Sequence, residues 1–157
     1  MESKKLLIFD LDDTLYARYG VVADDYSGME NIAPYSGVIE LLNDQEFSKI
    51  LVTKGETHIQ NKKIDLLAIR QFFSRIFICK TDLKKKDIFK SIISQNPESE
   101  IIVVGDRIDT EIRYGNELNL KTVRIKLGKY KNLQPKEETE IPQYTINKFS
   151  QLKKYLK

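Results

Sequence analysis

Two aspartates, Asp10 and Asp12, stand where an apolar, strand-like segment, 5–9, comes to an end. Because side chains alternate along a strand, residues two positions apart face the same side. Two carboxylates held that close repel each other unless a cation lies between them. A bound Mg²⁺ would relieve the repulsion and would also attract an anionic substrate. The alternative interpretation is an acidic turn with no chemical role.

A second acidic group follows the apolar segment 101–105. Asp106 comes first, and Asp109 and Glu111 follow shortly after it. If this strand lies beside the first one, Asp106 faces Asp10 across the edge of the sheet, and their carboxylates hold one metal ion. The roles of Asp109 and Glu111 are harder to separate from the residues alone. Asp109 is favoured as the cap of the helix that follows.

A third polar segment, Thr53-Lys54-Gly55, ends another strand-like run just before a helix start. A hydroxyl and main-chain N–H groups at a helix start are suited to bind phosphoryl oxygens. Taken alone, a threonine before a glycine is an ordinary turn. Its expected alignment with the two acidic groups at one sheet edge makes Thr53 and Lys54 candidate substrate-binding residues.

The framework that must bring these groups together alternates apolar runs with segments of helical period. The runs predict strands at 6–11, 49–53, 75–79, 101–105 and 121–126, followed by a short strand at 144–146. Helices are predicted at about 36–44, 56–69, 82–95 and 109–118, with a terminal helix at 149–156. Strands separated by helices of this length predict a parallel α/β sheet with both faces covered.

Composition excludes several classes of protein. A length of 157 residues suits one domain, and no apolar run approaches the length of a membrane span. The single cysteine, Cys79, excludes an internal disulfide, and the N-terminus shows no signal-peptide pattern, so we expect a cytoplasmic protein. A net charge of +3 is too small to indicate a nucleic-acid partner.

The run Asp10-Leu11-Asp12-Asp13-Thr14 resembles the first motif, Asp-x-Asp-x-Thr, of the haloacid dehalogenase (HAD) superfamily. The resemblance spans nearly the whole chain and extends to Thr53-Lys54-Gly55 with Gln60 and Lys63 behind it, Phe72-Phe73, Val104-Gly105-Asp106-Arg107, and Thr122-Val123-Arg124 near Gly128-Lys129-Tyr130. It implies a Rossmann-like, three-layer doubly wound parallel sheet with strand order 3-2-1-4-5. It also implies one domain, 1–157, in which residues 15–35 form a flap or minimal insert instead of a full cap domain.

The resemblance implies a Mg²⁺-dependent phosphatase that acts through an aspartyl phosphate. Asp10 is then the nucleophile and Asp12 the general acid and base. Asp10, Asp106 and the main-chain carbonyl of Asp12 are the implied metal ligands. Glu111 matches the spacing of a further acid in the superfamily, either as a direct ligand or through water.

The superfamily also supplies a lysine from the helix after the third strand, which holds the nucleophile and the phosphate together. Three lysines, Lys84, Lys85 and Lys86, occupy that place here, and the usual Lys-Pro pair is absent. We favour Lys84, then Lys85. The remaining lysines would form a solvated basic patch.

Other functions share parts of this pattern. A non-catalytic HAD-like binding module would keep the fold without turnover, and a phosphotransferase would pass the phosphoryl group from the same aspartyl phosphate to another hydroxyl. The expected partner is a phosphorylated substrate, either a small metabolite or an exposed phosphate on a macromolecule. Neither a membrane nor a nucleic acid is required, and oligomerisation is left open.

Overall fold

A computed structural model describes residues 4–157. Its centre is a six-stranded sheet in the order β3-β2-β1-β4-β5-β6, with every neighbouring pair parallel. The strands are β1 (Lys5–Phe9), β2 (Phe47–Lys54), β3 (Arg75–Cys79), β4 (Glu100–Gly105), β5 (Lys121–Ile125) and β6 (Tyr144–Ile146). The predicted order of the first five strands is confirmed, and β6 extends the sheet beyond β5.

Four α-helices connect these strands, namely α1 (Val38–Leu42), α2 (Thr57–Leu66), α3 (Asp82–Gln95) and α4 (Arg113–Glu117). A π-helical turn, Ile108–Ile112, runs directly into α4. The helix expected from Ser36 starts later, because Gly37 takes the N-cap position with φ 91°. The terminal helix, Phe149–Tyr155, is a 3₁₀-helix. A helix with three residues per turn aligns Phe149 and Leu152 on one side, and both side chains are buried.

The sheet is covered by an apolar layer on each face. In β1, Leu7 and Phe9 belong to the cluster on one face, whereas Leu6 and Ile8 belong to the cluster on the other, which includes Phe89 of α3. This alternation follows from the pleat of the strand. The predicted three-layer arrangement is therefore confirmed.

The strand register brings the polar groups to one edge. The last residue of β1, Phe9, pairs with Leu51 of β2 on one side and with Val104 of β4 on the other. Since the chain moves outward from β1 in opposite directions on the two sides, the β1–β4 boundary is a topological switch point. Asp10 lies immediately beyond it and donates its main-chain N–H to the carbonyl of Val104 at 3.1 Å.

Residues 15–35 pack onto the core without forming strands. The segment contains one 3₁₀ turn, Met29–Asn31, and Tyr16 joins Pro34 through an isolated bridge. Tyr16 is fully buried, whereas Tyr19 and Tyr26 are exposed. The interpretation of this segment as a flap stays a prediction. Among the described residues, no helix has both the length and the apolar character needed to cross a membrane.

Candidate active site

A pocket of about 250 Å³ opens at the carboxyl ends of β1, β2 and β4. Of the residues given a possible catalytic or binding role from the sequence, six line it, namely Asp10, Asp12, Lys54, Lys85, Asp106 and Glu111. Thr53 is fully buried behind the wall, and Lys84 is exposed outside it. The edge of the parallel sheet therefore gathers most, though not all, of the predicted site.

Three carboxylates form the floor of the pocket. Asp10, Asp106 and Glu111 each place a carboxylate oxygen within 4.8 Å of the other two. The Thr14 hydroxyl lies beside two of them, donating to Asp106 at 3.3 Å and more weakly to Asp10 at 3.5 Å. The set offers only hard oxygen donors, which are the ligands that Mg²⁺ prefers. This carboxylate cluster could bind a metal ion.

The π-helical turn decides between Asp109 and Glu111. This turn brings Glu111 back against Gly105. A Cβ added at Gly105 would lie 2.1 Å from Glu111 Cγ, so the glycine leaves space for the glutamate. Asp109 does not cap the helix as expected. Instead it accepts two hydrogen bonds from Arg107, at 2.9 and 3.0 Å. Asp109 therefore lies outside the carboxylate cluster and Glu111 lies within it.

A single buried ammonium group faces the cluster from α3. Lys85 Nζ lies 3.1 Å from Asp10 Oδ1 and 3.5 Å from Glu111 Oε2. Lys86 instead pairs with Glu117 at 2.6 Å. Lys84, the lysine favoured from the sequence, is not brought to the site. Successive helix residues point about 100° apart because a turn takes about 3.6 residues, so only one of three consecutive lysines can face the sheet edge.

The floor carries more negative than positive charge. Burial raises the pKa of Asp10 to about 7, against the lowering effect of Lys85 and with further raising by Glu111 and Asp12. Burial, Glu111 and Asp10 also raise the pKa of Asp106 well above its usual value. Three ionised carboxylates facing one ammonium leave two negative charges unbalanced, and a divalent cation would balance both. The residues present therefore fit a hard divalent cation.

The side chain of Asp12 is held apart from this cluster. Lys63 Nζ donates to Asp12 Oδ1 at 2.8 Å, and Gln60 Nε2 donates to Oδ2 at 3.1 Å. The Tyr16 hydroxyl also donates to Oδ1. Gln60 and Lys63 were part of the sequence resemblance but were given no role. Their spacing of three on α2, which places them on one helix face, is the signal that could have identified them.

At the end of β2, Lys54 lies where the sequence predicted a substrate-binding residue, whereas Thr53 does not line the pocket. Lys54 lines the pocket and pairs with Asp82 at 3.3 Å. The Thr53 hydroxyl accepts a hydrogen bond from Gln60 Nε2 at 2.7 Å. Thr53 thus supports Gln60 from behind, whereas Lys54 faces the space where a ligand would lie.

Cationic side chains also stand at the pocket mouth. Arg18 and Lys129 line the pocket, and among residues 4–157 neither side chain has an ion-pair partner. The buried carboxylate of Asp13 joins their two loops, because it accepts the main-chain N–H of Arg18 at 2.8 Å and that of Lys129 at 3.4 Å. Two distant parts of the chain thereby place positive charge on one pocket.

The chain is similar to several known proteins. Residues 83–152 match the HAD-hydrolase-like family model. Glyceraldehyde 3-phosphate phosphatase of Methanopyrus kandleri is 31% identical over 137 residues, which cover 82% of this chain and 58% of the relative. The enzyme of the same name from Methanocaldococcus jannaschii is 32% identical over 129 residues, covering 77% of this chain and 55% of the relative. The chain spans about half the length of the curated relatives it matches.

Solved structures share the fold over nearly the full length of the chain. The magnesium-bound HAD-hydrolase YfnB of Bacillus subtilis superposes with a TM-score of 0.74 at 17% identity, covering 99% of both chains. A haloacid dehalogenase-like protein of Streptococcus pneumoniae gives a TM-score of 0.75 at 16% identity, covering 100% of both chains. The chain therefore has the fold of haloacid dehalogenase-like proteins, and over residues 83–152 its sequence is similar to HAD-type hydrolases.

Proposed function

We propose that this protein is a Mg²⁺-dependent phosphatase that hydrolyses phosphomonoesters through an aspartyl phosphate on Asp10. The observation that carries the proposal is the pocket floor, where Asp10 contacts a buried lysine and lies beside two further carboxylates. An anionic nucleophile next to fixed positive charge is the arrangement that phosphoryl transfer requires. Three curated relatives that are named as phosphatases support the same reaction.

The proposed metal ligands are the carboxylates of Asp10, Asp106 and Glu111, together with the main-chain carbonyl of Asp12. When bound, Mg²⁺ supplies positive charge that neutralises the carboxylates and attracts the phosphoryl group. The excess of negative charge on the pocket floor supports this assignment, since Lys85 is the one cation within reach of Asp10 and Glu111 among the described ion pairs.

In the first proposed step, a carboxylate oxygen of Asp10 attacks phosphorus in line with the ester oxygen that leaves. An acyl phosphate bond forms, the P–O ester bond breaks, and the Asp12 carboxyl donates a proton to the departing oxygen. In the second step, Asp12 takes a proton from water, and the water oxygen attacks the same phosphorus. The P–O bond to Asp10 breaks, which releases phosphate and restores the Asp10 carboxylate. The Lys85 ammonium stabilises charge on the phosphoryl oxygens. Lys54 is proposed to bind the same group, whereas a phosphate contact from Thr53 stays a prediction.

We propose that the substrate is a small phosphorylated metabolite. A pocket of about 250 Å³ supports a molecule of few carbons. The relatives named for glyceraldehyde 3-phosphate provide one substrate to test. We further propose that the chain forms one domain in which residues 15–35 serve as a minimal flap beside this pocket, since Tyr26 of that segment lines it.

The test measures release of nitrophenol from p-nitrophenyl phosphate with Mg²⁺, with excess EDTA, and after Mg²⁺ is restored. We expect turnover only when Mg²⁺ is present. Asp10→Asn, which preserves side-chain shape while removing the nucleophile, is expected to abolish turnover without loss of the folded state, as checked by circular dichroism. Undiminished activity in EDTA, or wild-type rates in Asp10→Asn, would contradict the proposal.

A further inference from the structure

The contacts of Asp12 point to a second group of functional residues, on α2. Gln60 and Lys63 lie three residues apart, so they share a face of the helix. Both are buried, with 2% of their surface exposed. Each donates to a different oxygen of the Asp12 carboxylate, Lys63 to Oδ1 at 2.8 Å and Gln60 to Oδ2 at 3.1 Å. With both oxygens held, the plane of the carboxylate has little freedom to rotate.

The same network extends to β2. Gln60 Nε2 also donates to the Thr53 hydroxyl at 2.7 Å, so one amide nitrogen joins the end of β2 to Asp12. Gly55 makes room for the glutamine, because an added Cβ would lie 2.9 Å from its Cδ. The end of β2 therefore acts on Asp12 through Gln60.

Burying a lysine side chain contributes little to the free energy of unfolding. Desolvation of an ammonium group and a carboxylate offsets most of their attraction, so a buried ion pair is commonly no better than an apolar pair of similar volume. Among residues 4–157, Asp12 is the one ion-pair partner of Lys63. An arrangement that adds little stability but fixes a side chain at the pocket is better explained by the chemistry of that side chain.

We propose that Gln60 and Lys63 are positioning residues for Asp12, which they hold oriented for proton transfer to the leaving oxygen. The inference rests on the proposed phosphatase reaction and deepens it. The effect of losing either residue should then depend on how much the leaving group needs a proton. An alkyl phosphate requires protonation as its P–O bond breaks, whereas nitrophenolate leaves without it.

The experiment compares kcat/KM for glycerol phosphate and p-nitrophenyl phosphate, because this ratio reports the step in which the ester bond breaks. Lys63→Met and Gln60→Met keep the length of the side chain and remove the donors. We expect kcat/KM to fall by about 10- to 100-fold for glycerol phosphate, and by less than about threefold for p-nitrophenyl phosphate. In an Asp12→Asn background, neither substitution should cause a further loss with glycerol phosphate.

Lys49→Met is the matched control. Lys49 is also a buried lysine, but its ammonium donates to the main-chain carbonyls of Leu42 at 2.7 Å and Asp44 at 2.6 Å, away from the pocket. If its loss acts only on stability, Lys49→Met changes kcat/KM for the two substrates by the same factor. Thermal midpoints of all variants, measured with the assays, separate folding defects from catalytic ones.

Two results would overturn the positioning role. One is an equal loss for both substrates in Lys63→Met, and the other is a loss that multiplies with that of Asp12→Asn. Additive shifts of the thermal midpoint in the Lys63→Met and Asp12→Asn double-mutant cycle would further show that the two side chains do not interact. Absence of Mg²⁺-dependent turnover in the wild-type protein would instead refute the phosphatase proposal itself, and the positioning role with it.

Discussion

At the scale of single residues, charge balance dominates the pocket. Asp10, Asp106 and Glu111 are gathered around Lys85, which lies within 3.5 Å of two of them. Buried charges of one sign are tolerated when an opposite charge faces them. Removal of the lysine therefore affects both the folded state and any anion bound there, whereas removal of an exposed neighbour affects neither.

Lys85→Met should lower kcat/KM for p-nitrophenyl phosphate by at least about 10²-fold, the usual loss when one buried donor to a transition state is removed. Lys84→Met is the matched control, since Lys84 is exposed and one residue away on the same helix. Its kcat/KM should stay within about twofold of wild type. The opposite ranking of the two variants would show that the lysine of α3 has been assigned to the wrong position.

Asp106→Asn should make the metal-free protein more stable and less responsive to metal. The substitution removes one of three mutually repelling carboxylates, so the thermal midpoint in EDTA should rise. It also removes an anionic ligand, so addition of Mg²⁺ should raise the midpoint less than in wild type. Differential scanning fluorimetry across a Mg²⁺ titration measures both effects. A variant that gains as much stability from Mg²⁺ as wild type would exclude Asp106 as a ligand.

At the scale of elements, the junction between β4 and α4 shapes the site. The π-helical turn Ile108–Ile112 inserts an extra residue into the helical repeat, and such turns are frequent at functional sites. It carries Glu111 back beneath Gly105, while Asp109 faces Arg107. The position of one carboxylate thus depends on a turn that lacks ordinary helix geometry and on a glycine that leaves space for it.

Gly105→Ala should move Glu111 and weaken Mg²⁺ binding. The added methyl group would lie 2.1 Å from Glu111 Cγ, and overpacking of this kind costs about 1–3 kcal/mol of unfolding free energy. Gly115→Ala on α4 is the control, because its added Cβ would lie 2.6 Å from Thr122 Cγ2 of β5, and neither residue lines the pocket. Both variants should unfold at lower denaturant concentration. Only Gly105→Ala should raise the Mg²⁺ concentration needed for half-maximal turnover, and equal metal titrations would contradict this reasoning.

At the scale of the whole molecule, distant parts of the chain converge on one pocket mouth. Asp13 follows the first strand, and its carboxylate binds the main chain at Arg18 and at Lys129 beyond β5. Arg124 of β5 holds the same distal loop by donating to the carbonyls of Tyr130 and Leu133 at 3.0 Å each. Positive charge at the mouth is therefore fixed by contacts between segments more than a hundred positions apart.

Replacing both Arg18 and Lys129 by methionine should raise KM for a phosphate ester with a second anionic group. Exposed charge pairs contribute about 0.2–1 kcal/mol each, so we expect loss of both to raise KM by about two- to thirtyfold, with little change in kcat. The effect should shrink at high salt because screening weakens such pairs. Lys126→Met is the control, since Lys126 does not line the pocket. An unchanged KM for phosphoglycerate would mean that these charges do not contact substrate.

Sequence patterns were enough to predict the strands and the edge of the sheet at which the polar groups meet. Strands 75–79 and 144–146 were predicted with the bounds they have in the structure, and the other strands within about two residues. This succeeded because a strand covered on both faces is a continuous apolar run. Asp10 and Asp106 were expected to face each other because the carboxyl ends of parallel neighbours share one edge.

Tertiary structure decided which side chains enter the pocket. Three consecutive lysines do not show which of them points toward the pocket. Lys85 does so because of the way α3 packs against the sheet. Glu111, and not Asp109, joins the carboxylate cluster because of a π-helical turn that no local sequence pattern predicted. The hydrogen bonds from Gln60 and Lys63 to Asp12 join residues about fifty positions apart in the chain. Local sequence patterns indicate where a helix or strand begins and ends. Contacts between helices and strands depend on tertiary packing, which cannot be read from a local pattern.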